Sequence, residues 1–189
     1  MPSVAACSAA GAAMKTYFMR HGQTNYNVLG LCNDDPARPV HLTDLGIEQV
    51  RRAAYDLKDV ALERIVVSEL PRTLQTAEII NGDHHVPITA HRAVNDFRTG
   101  LDGGTVKQLY CTIAADPMHT RIGGGETLFE HKQRVLGFLD WLRLQPERTV
   151  LVVAHEETMR VAVAHSLCLS DQQMLALRFA NAEVVAFDL

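Results

Sequence analysis

The sequence of residues 16–24 is TYFMRHGQT. Its first four residues are typical of a β-strand and the following Arg20-His21-Gly22 is typical of a turn, so we predict a strand that ends at this point. In open α/β sheets, functional sites form just beyond the carboxyl ends of the strands. The stretch therefore predicts both the first strand of the fold and the first two residues of a candidate site, Arg20 and His21.

Segments of strand and helix character alternate outward from this stretch. Continuous apolar runs at 64–68 and 150–154 predict strands buried on both faces, and weaker strand patterns occur at 86–89 and 183–187. Helical patterns are expected over residues 43–57, 71–82, 105–115, 126–142, 158–167 and 171–179. This alternation predicts an α/β fold with a mainly parallel sheet.

Two segments show no regular pattern. Residues 25–38 contain Gly30 and Pro36 and are predicted to form a long loop. Residues 94–125 are rich in glycine, and we predict that they form an insertion over the edge of the sheet, interrupted by the helix at 105–115. Because these segments lack a repeating apolar pattern, we expect residues 25–40 and 94–125 to carry substrate specificity rather than core packing.

Length and composition describe one globular domain. The chain has 189 residues, of which 47% are hydrophobic and 21% charged, and these values exclude a disordered or fibrous protein. We predict a single domain over residues 14–189. Residues 1–13 are rich in alanine and uncharged, and we predict that they form a disordered extension.

Charge and hydropathy exclude two classes of partner. The chain has 18 basic and 22 acidic residues, and it lacks the basic patch of a nucleic-acid-binding protein. No stretch of 18 apolar residues occurs, so no membrane span is predicted.

Cysteines at positions 7, 32, 111 and 168 form no CxxC motif, which suits a cytoplasmic protein without a cysteine metal site. Nothing in the pattern indicates an oligomeric state.

Three predicted strands end in residues suited to phosphate chemistry. The first carries Arg20 and His21, the second is followed by Arg72, and the strand at 150–154 is followed by His155. If these strands are neighbours, two arginines and two histidines converge. Guanidinium groups bind a phosphate dianion through paired, charge-assisted hydrogen bonds, and a neutral imidazole can attack phosphorus.

Four motifs in this order resemble those of the histidine phosphatase superfamily, in its phosphoglycerate mutase-like branch. Residues 20–27, RHGQTNYN, resemble its defining motif, and residues 68–77, SELPRTLQTA, resemble its second motif. Residues 124–127, GGET, resemble its Gly-Glu-Ser segment, and residues 152–155, VVAH, followed by Arg160, resemble its second-histidine motif. The resemblance implies a three-layer αβα sandwich with a mainly parallel sheet.

The resemblance also implies a mechanism. His21 attacks the phosphoryl group and becomes phosphohistidine, while Arg20, Arg72 and His155 hold the equatorial phosphoryl oxygens. A carboxylic acid protonates the leaving oxygen, and water then hydrolyses the intermediate. The family needs no metal and no cofactor, and the sequence has no metal-ligand spacing of its own.

Two residues are candidates for the proton donor. The mutase-like branch uses a glutamate in the pattern Leu-x-Glu-x-x-x-Gly-x-x-x-Gly, and residues 94–104 fit that spacing with Asp96 at the position of the acid. The family usually has glycine after its second histidine, whereas this chain has Glu156-Glu157. In the acid-phosphatase branch an aspartate follows that histidine and donates the proton, so Glu156 is the alternative acid. A weak phosphatase with water as the acid is the third possibility.

Three further polar residues in the motifs have local interpretations. Thr24 and Asn27 are predicted to contact phosphate or substrate, with capping of the turn after the first motif as the alternative. Glu126 is predicted to be the N-cap or a first-turn acid of the helix that follows it, where a negative charge stabilises the helix dipole.

The favoured function is a metal-independent phosphatase acting on a small phosphorylated metabolite. One alternative is a phosphoglycerate mutase, which has to retain a bisphosphate intermediate and is usually a longer chain. The other is a regulatory phosphate-binding module or a phosphohistidine phosphatase, against which the complete set of site residues and the covering segment 94–125 argue. A sugar phosphate, a nucleotide, phosphoglycerate and α-ribazole phosphate all remain candidate substrates.

Overall fold

The computed structural model of the protein describes residues 13–189. Apart from Ala13, the predicted disordered extension lies outside the described residues. The described fold packs from Met14 onward, because this side chain is buried and its backbone exchanges hydrogen bonds of 3.2 and 2.9 Å with Leu189. The prediction that residues 14–189 form a single domain stays a prediction.

Within these residues, five strands form one mixed sheet. They are β1 (Lys15–Arg20), β2 (Arg64–Val67), β3 (Ile88–Ala90), β4 (Thr149–Ala154) and β5 (Val184–Asp188). Their order across the sheet is β3-β2-β4-β1-β5, and all neighbours are parallel except β5, which runs antiparallel to β1. Because β4 lies between β2 and β1, the carboxyl ends of these three strands are adjacent.

The described residues also form the helices α1 (Asn25–Leu29), α2 (Asp44–Leu57), α3 (Pro71–His84), α4 (Val106–Ile113), α5 (Leu128–Arg143), α6 (Glu156–Ser166) and α7 (Asp171–Ala176). Two predicted helix starts are confirmed. Thr43 caps α2 by accepting a hydrogen bond from Gly46 N–H, and Pro71 is the first residue of α3, where its missing N–H has no cost.

Successive strand residues supply two separate hydrophobic cores because they point to opposite faces of the sheet. Helices α5 and α6 pack on one face and α2 and α3 on the other. The first face buries Phe18, Val66, Val150 and Val152, and the second buries Met19, Ile65, Val67, Leu151 and Val153. The predicted three-layer αβα sandwich with a mainly parallel sheet is confirmed.

The segment predicted as a loop at 25–38 begins with a helix. Thr24 caps α1 by accepting from Asn27 N–H, and the Asn27 side chain accepts in return from Thr24 N–H. This reciprocal capping satisfies the first free donors of a helix of only five residues. The helix has no buried residue. It therefore lacks the periodic apolar pattern by which a helix can be predicted from sequence.

The end of α3 and the start of β3 differ from the prediction, because a side chain in α3 binds the backbone that follows the helix. Helix α3 continues to His84 and ends at His85, which has the left-handed φ of 55°. The amide of Asn81 in that helix bonds both Val86 N–H, at 2.9 Å, and Val86 C=O, at 3.0 Å. Since Val86 is held by the helix, the strand predicted at 86–89 starts only at Ile88.

The last helix is shorter than the predicted 171–179. Leu177 already has an extended backbone with ψ of 145°, and its carbonyl accepts from Arg160 Nε at 2.9 Å. The carbonyl of Phe179 accepts from Arg20 at 2.6 Å. The two arginines therefore hold residues 177–179 outside the helix and lead the chain back to the carboxyl end of β1.

The predicted insertion at 94–125 lies at the carboxyl ends of the strands. Its residues pair with the loop after α1 through Cys32 N–H to Gly104 O, at 2.8 Å, and Val106 N–H to Gly30 O, at 2.9 Å.

Cys32, Cys111 and Cys168 are unpaired thiols. No helix in the described part of the chain is long and apolar enough to span a membrane.

Candidate active site

The carboxyl ends of β1, β4 and β2 bring the predicted phosphate-binding residues into one pocket. The last residue of β1 is Arg20 and the next residue is His21, the first turn of α3 supplies Arg72, and the N-cap of α6 supplies His155. The rings of His21 and His155 lie 5.3 Å apart, centre to centre. Because β4 lies between β1 and β2, the two arginines and two histidines converge as predicted.

The His21 ring is fixed by its own turn. Its Nδ1–H donates to the carbonyl of Gly22 at 2.8 Å, so Nε2 carries the lone pair. Nε2 accepts from Arg72 Nε at 3.1 Å. The turn also needs glycine at residue 22, because a Cβ there would come within 2.7 Å of Gly46 O at the start of α2.

His21 is held neutral. Burial lowers its pKa well below 6.5, and the positive charge of Arg72 and the nearby His155 lower it further. The hydrogen bond to Gly22 opposes this but does not reverse it. A neutral imidazole, whose Nε2 carries a lone pair, is the form that can act as a nucleophile.

Arg72 contacts several of the other residues that line the pocket. It is buried, and its Nη atoms donate to Asn33 Oδ1 at 2.6 Å, to Asn33 O at 3.1 Å and to Asp96 Oδ2 at 2.8 Å. A fourth contact of 3.2 Å reaches His155 Nδ1. Asn33 was not predicted as a site residue, and no motif in the segment 25–38 marked it.

The second histidine is oriented by two hydroxyl groups. Thr73 donates its hydroxyl proton to the carbonyls of Ser68 and Leu70, at 3.1 and 2.8 Å. The Ser68 hydroxyl therefore donates to Thr73 at 2.8 Å and accepts from His155 Nε2–H at 2.9 Å. Nδ1 of His155 is then left as an acceptor that faces Arg72. Burial, followed by the charge of Arg72, lowers the pKa of His155 well below 6.5.

Arg20 and Glu156 form a charged pair at the pocket wall. An Nη atom of Arg20 lies 2.8 Å from Glu156 Oε2, and Glu156 Oε1 accepts from Arg160 at 2.5 Å. Both oxygens of Glu156 are thus engaged by guanidinium groups. This geometry makes Glu156 a support for Arg20 and gives it no contact with His21.

Thr24 and Asn27 line the pocket and also make the capping contacts of α1. A contact of either residue with substrate stays a prediction. Asn181, which was not predicted, donates to Asn27 Oδ1 and to the carbonyl of His21, both at 3.2 Å. The loop after α7 therefore braces the turn that carries the candidate nucleophile.

Asp96 lines the same pocket as His21, on the segment that follows the 3₁₀ turn Arg92–Val94. Its Oδ2 atom is 2.8 Å from Arg72 and 3.5 Å from His155 Nδ1. Arg134 of α5 holds this segment by donating to the carbonyls of Ala93, at 2.9 Å, and Asp96, at 3.3 Å.

Glu126 is not the N-cap or a first-turn acid of α5, contrary to the prediction. Thr127 is the N-cap, and the buried Glu126 carboxylate instead accepts from Arg134 at 2.5 Å and from Arg98 N–H at 3.0 Å. Burial raises the pKa of this carboxyl, but His131, Arg134 and Arg98 N–H favour its charged form and lower the pKa from 4.5 to about 2.

We expect Glu126 to make stability depend on pH in the acid range. Its pKa is lowered in the folded state, so its stabilisation is present above pH 4.5 and is lost as the pH falls from 4.5 towards 2. One pKa unit corresponds to about 1.4 kcal/mol, so Glu126→Gln should lower the free energy of unfolding by roughly 3 kcal/mol at pH 7. Urea unfolding from pH 7 to 3.5 should show this difference narrowing below pH 4.5, whereas Glu78→Gln, an exposed control, should show no difference.

The pocket has a volume of about 120 Å³. Around the two histidines and two arginines it is lined by Tyr26, Leu31, Asn33, Val40, Phe97, Val106, Leu109, Tyr110, Glu156 and Glu157, among others. Among residues 13–189, no group of three or more His, Cys, Asp or Glu side chains is placed to hold a metal ion.

Comparison with known proteins gives consistent matches. Residues 16–189 match the family model described as histidine phosphatase superfamily (branch 1). The Bacillus subtilis (strain 168) protein named Uncharacterized phosphatase PhoE is 29% identical over 165 residues, covering 87% of this chain and 82% of that protein. The Escherichia coli (strain K12) adenosylcobalamin/alpha-ribazole phosphatase is 26% identical over 174 residues, covering 87% and 85%. The structure of the alpha-ribazole phosphatase from Shigella flexneri superposes with a TM-score of 0.82 and 26% identity, covering 92% of this chain and 89% of that chain.

Proposed function

This chain belongs to branch 1 of the histidine phosphatase superfamily and is a phosphomonoesterase, and we propose that it hydrolyses a small phosphorylated metabolite through a phosphohistidine on His21. One observation carries the proposal. The neutral His21 presents its Nε2 lone pair to the same pocket that contains Arg20, Arg72 and His155. A nucleophile and cations for phosphoryl oxygens thus lie side by side.

In this proposal the cations bind the phosphoryl group first. Arg20 and Arg72 donate to its equatorial oxygens, where negative charge accumulates in the transition state. Arg72 Nε donates to the attacking nitrogen in the structure, so it has to turn to a phosphoryl oxygen before Nε2 can react. His155 Nδ1 needs a proton to donate to the same group, and the negative charge of a bound phosphoryl group favours that protonated form.

Two displacements then complete the reaction. Nε2 of His21 forms a bond to phosphorus as the bond to the leaving oxygen breaks, and Asp96 gives that oxygen a proton. Water next attacks the phosphohistidine, Asp96 takes up one of its protons, and inorganic phosphate leaves with His21 neutral again. The positioning of reactants and the fixed positive charges supply most of the catalysis in such a reaction. Metal ions and cofactors have no role in these steps.

A rapid-quench experiment tests the proposal. The protein is mixed with an aryl phosphate carrying ³²P, with and without excess chelator, and quenched within milliseconds. We expect labelled protein in both samples, with the label released in acid and retained in base, as phosphohistidine requires. Label that is lost in base would indicate an acyl phosphate on a carboxylate, and activity that depends on a divalent ion would contradict the metal-independent mechanism.

The range of candidate substrates can be narrowed by incubating the protein with a panel of phosphomonoesters and measuring the phosphate released from each. The two relatives named as alpha-ribazole phosphatases make α-ribazole phosphate one member of that panel, beside sugar phosphates, nucleotides and phosphoglycerate.

A further inference from the structure

We propose that Glu156 and Glu157 make the pocket select phosphomonoesters whose leaving alcohol is uncharged or cationic, and reject those that carry a second phosphate or a carboxylate. This inference rests on the proposed function, because it assumes that the phosphoryl group occupies the arginine and histidine end of the pocket. It concerns the remaining part of the pocket, where the leaving alcohol has to lie.

The charges of the pocket wall are the first argument. Among the described residues that line it, the cationic side chains are Arg20 and Arg72, and the proposed mechanism assigns both to the phosphoryl group. The other charged residues there are all acidic: Asp96, Glu156 and Glu157. A second anionic group on the substrate would therefore lie near the carboxylates of Glu156 and Glu157 and would find no further cation in the pocket lining to pair with it, and such a like-charge contact disfavours binding.

The environment of Glu157 is the second argument. Its Oε1 atom accepts from the Tyr110 hydroxyl at 3.1 Å and from Arg160 at 3.3 Å. Burial and the charge of Glu157 raise the pKa of Tyr110 to about 12, so that its hydroxyl keeps the donated proton at neutral pH. Two donors thus hold this carboxylate at the wall of the pocket.

Arg160 does not supply the missing positive charge. It is 4% exposed, and it donates to Glu156 at 2.5 Å, to the Tyr110 hydroxyl at 3.3 Å and to Leu177 O at 2.9 Å. These contacts occupy the guanidinium with the protein itself. Arg160 therefore fixes the two carboxylates and does not bind a substrate anion.

The start of helix α6 is the third argument. The positive end of a helix dipole attracts anions, and α6, with eleven residues, begins at the pocket. Its first turn carries Glu156 and Glu157, whose negative charges cancel that attraction. The pocket is also lined by Tyr26, Phe97, Val106, Leu109 and Tyr110, whose apolar and aromatic side chains can contact an uncharged alcohol.

The test compares two substrates that differ in one group. Glycerol 3-phosphate and 3-phosphoglycerate share size and phosphate position, but a hydroxymethyl group in the first replaces a carboxylate in the second. We expect kcat/KM for glycerol 3-phosphate to be at least about tenfold higher in the natural protein, as for a like-charge contact costing more than 1.4 kcal/mol. Glu157→Gln should reduce that ratio severalfold, and Glu78→Gln, which removes one negative charge elsewhere, should leave it unchanged.

Two results would overturn the inference: equal kcat/KM for both substrates in the natural protein, or a ratio that Glu157→Gln does not change. Phenyl phosphate, which has no second charge, distinguishes this failure from failure of the proposed function. If phenyl phosphate is not hydrolysed, the phosphatase mechanism is wrong. In that case the affinities of glycerol 3-phosphate and 3-phosphoglycerate, measured by calorimetry, still test the selectivity. Tighter binding of 3-phosphoglycerate would contradict the inference.

Discussion

Replacing His21 with alanine should lower kcat/KM by at least about 10⁴-fold, because the covalent route loses its nucleophile. No other imidazole can substitute for it in the pocket. His155 also lines the pocket, but its Nε2–H donates to Ser68, and in the proposed mechanism its Nδ1 is protonated when the phosphoryl group binds, so it has no lone pair to offer to phosphorus. The measurement is the release of phosphate from an aryl phosphate over several orders of magnitude in enzyme concentration.

Two controls separate loss of the nucleophile from loss of the fold. His165→Ala removes an exposed histidine from α6 and should retain the activity of the natural protein. Thermal unfolding of His21→Ala should remain cooperative, since the apolar residues that form the two hydrophobic cores are unchanged. Activity of His21→Ala within about tenfold of the natural protein would exclude a phosphohistidine mechanism.

The pH dependence should reflect the neutral state of His21. Its pKa is lowered well below 6.5 by burial, Arg72 and His155, so protonation of this imidazole should not reduce activity between pH 7 and 5.5. This behaviour would distinguish the buried nucleophile from an ordinary exposed histidine, whose charge changes near pH 6.5.

Local sequence signals were sufficient for the central sheet and for the core of the site. Arg20, His21, Arg72 and His155 each lie within a few residues of a strong apolar strand or a marked helix start. Because parallel strands align their carboxyl ends at one edge, the end of each strand was enough to place these residues together.

The supporting residues could not be predicted because their contacts are remote in sequence. Asn33 reaches Arg72 across 39 residues, Arg134 reaches Ala93 across 41, and Asn181 reaches His21 across 160. Asn33 and Asn181 lie in loops, where asparagine has many uses, and Arg134 is a polar residue of a helix whose pattern does not indicate its partners. The role of Glu126 was misassigned because its position before a helix suggested a dipole effect, whereas its carboxylate accepts from Arg98 N–H, 28 residues away, and from Arg134 within α5 itself.

The choice of proton donor depends on geometry that the sequence leaves open. Asp96 and Glu156 both line the pocket, but their partners differ. Glu156 is engaged by Arg20 and Arg160, whereas Oδ2 of Asp96 accepts from Arg72, the residue expected to move onto the phosphoryl group. A bound phosphoryl group would thus take the cation away from Asp96 and place negative charge beside it, which favours a protonated carboxyl group. We therefore propose Asp96 as the acid.

Asp96→Asn should slow the hydrolysis of alkyl phosphates by about 10²–10⁴-fold, the usual contribution of a general acid. Alkoxides leave poorly without a proton, whereas a nitrophenolate leaves unaided, so the loss on 4-nitrophenyl phosphate should be less than about tenfold. The matched change Glu156→Gln should lower both rates by a similar factor, because it alters the charge beside Arg20 and not the departure of the alcohol. A plot of log kcat/KM against leaving-group pKa measures this directly. A steep slope in Glu156→Gln together with an unchanged slope in Asp96→Asn would assign the acid to Glu156, and with it a proton donor placed as in the acid-phosphatase branch.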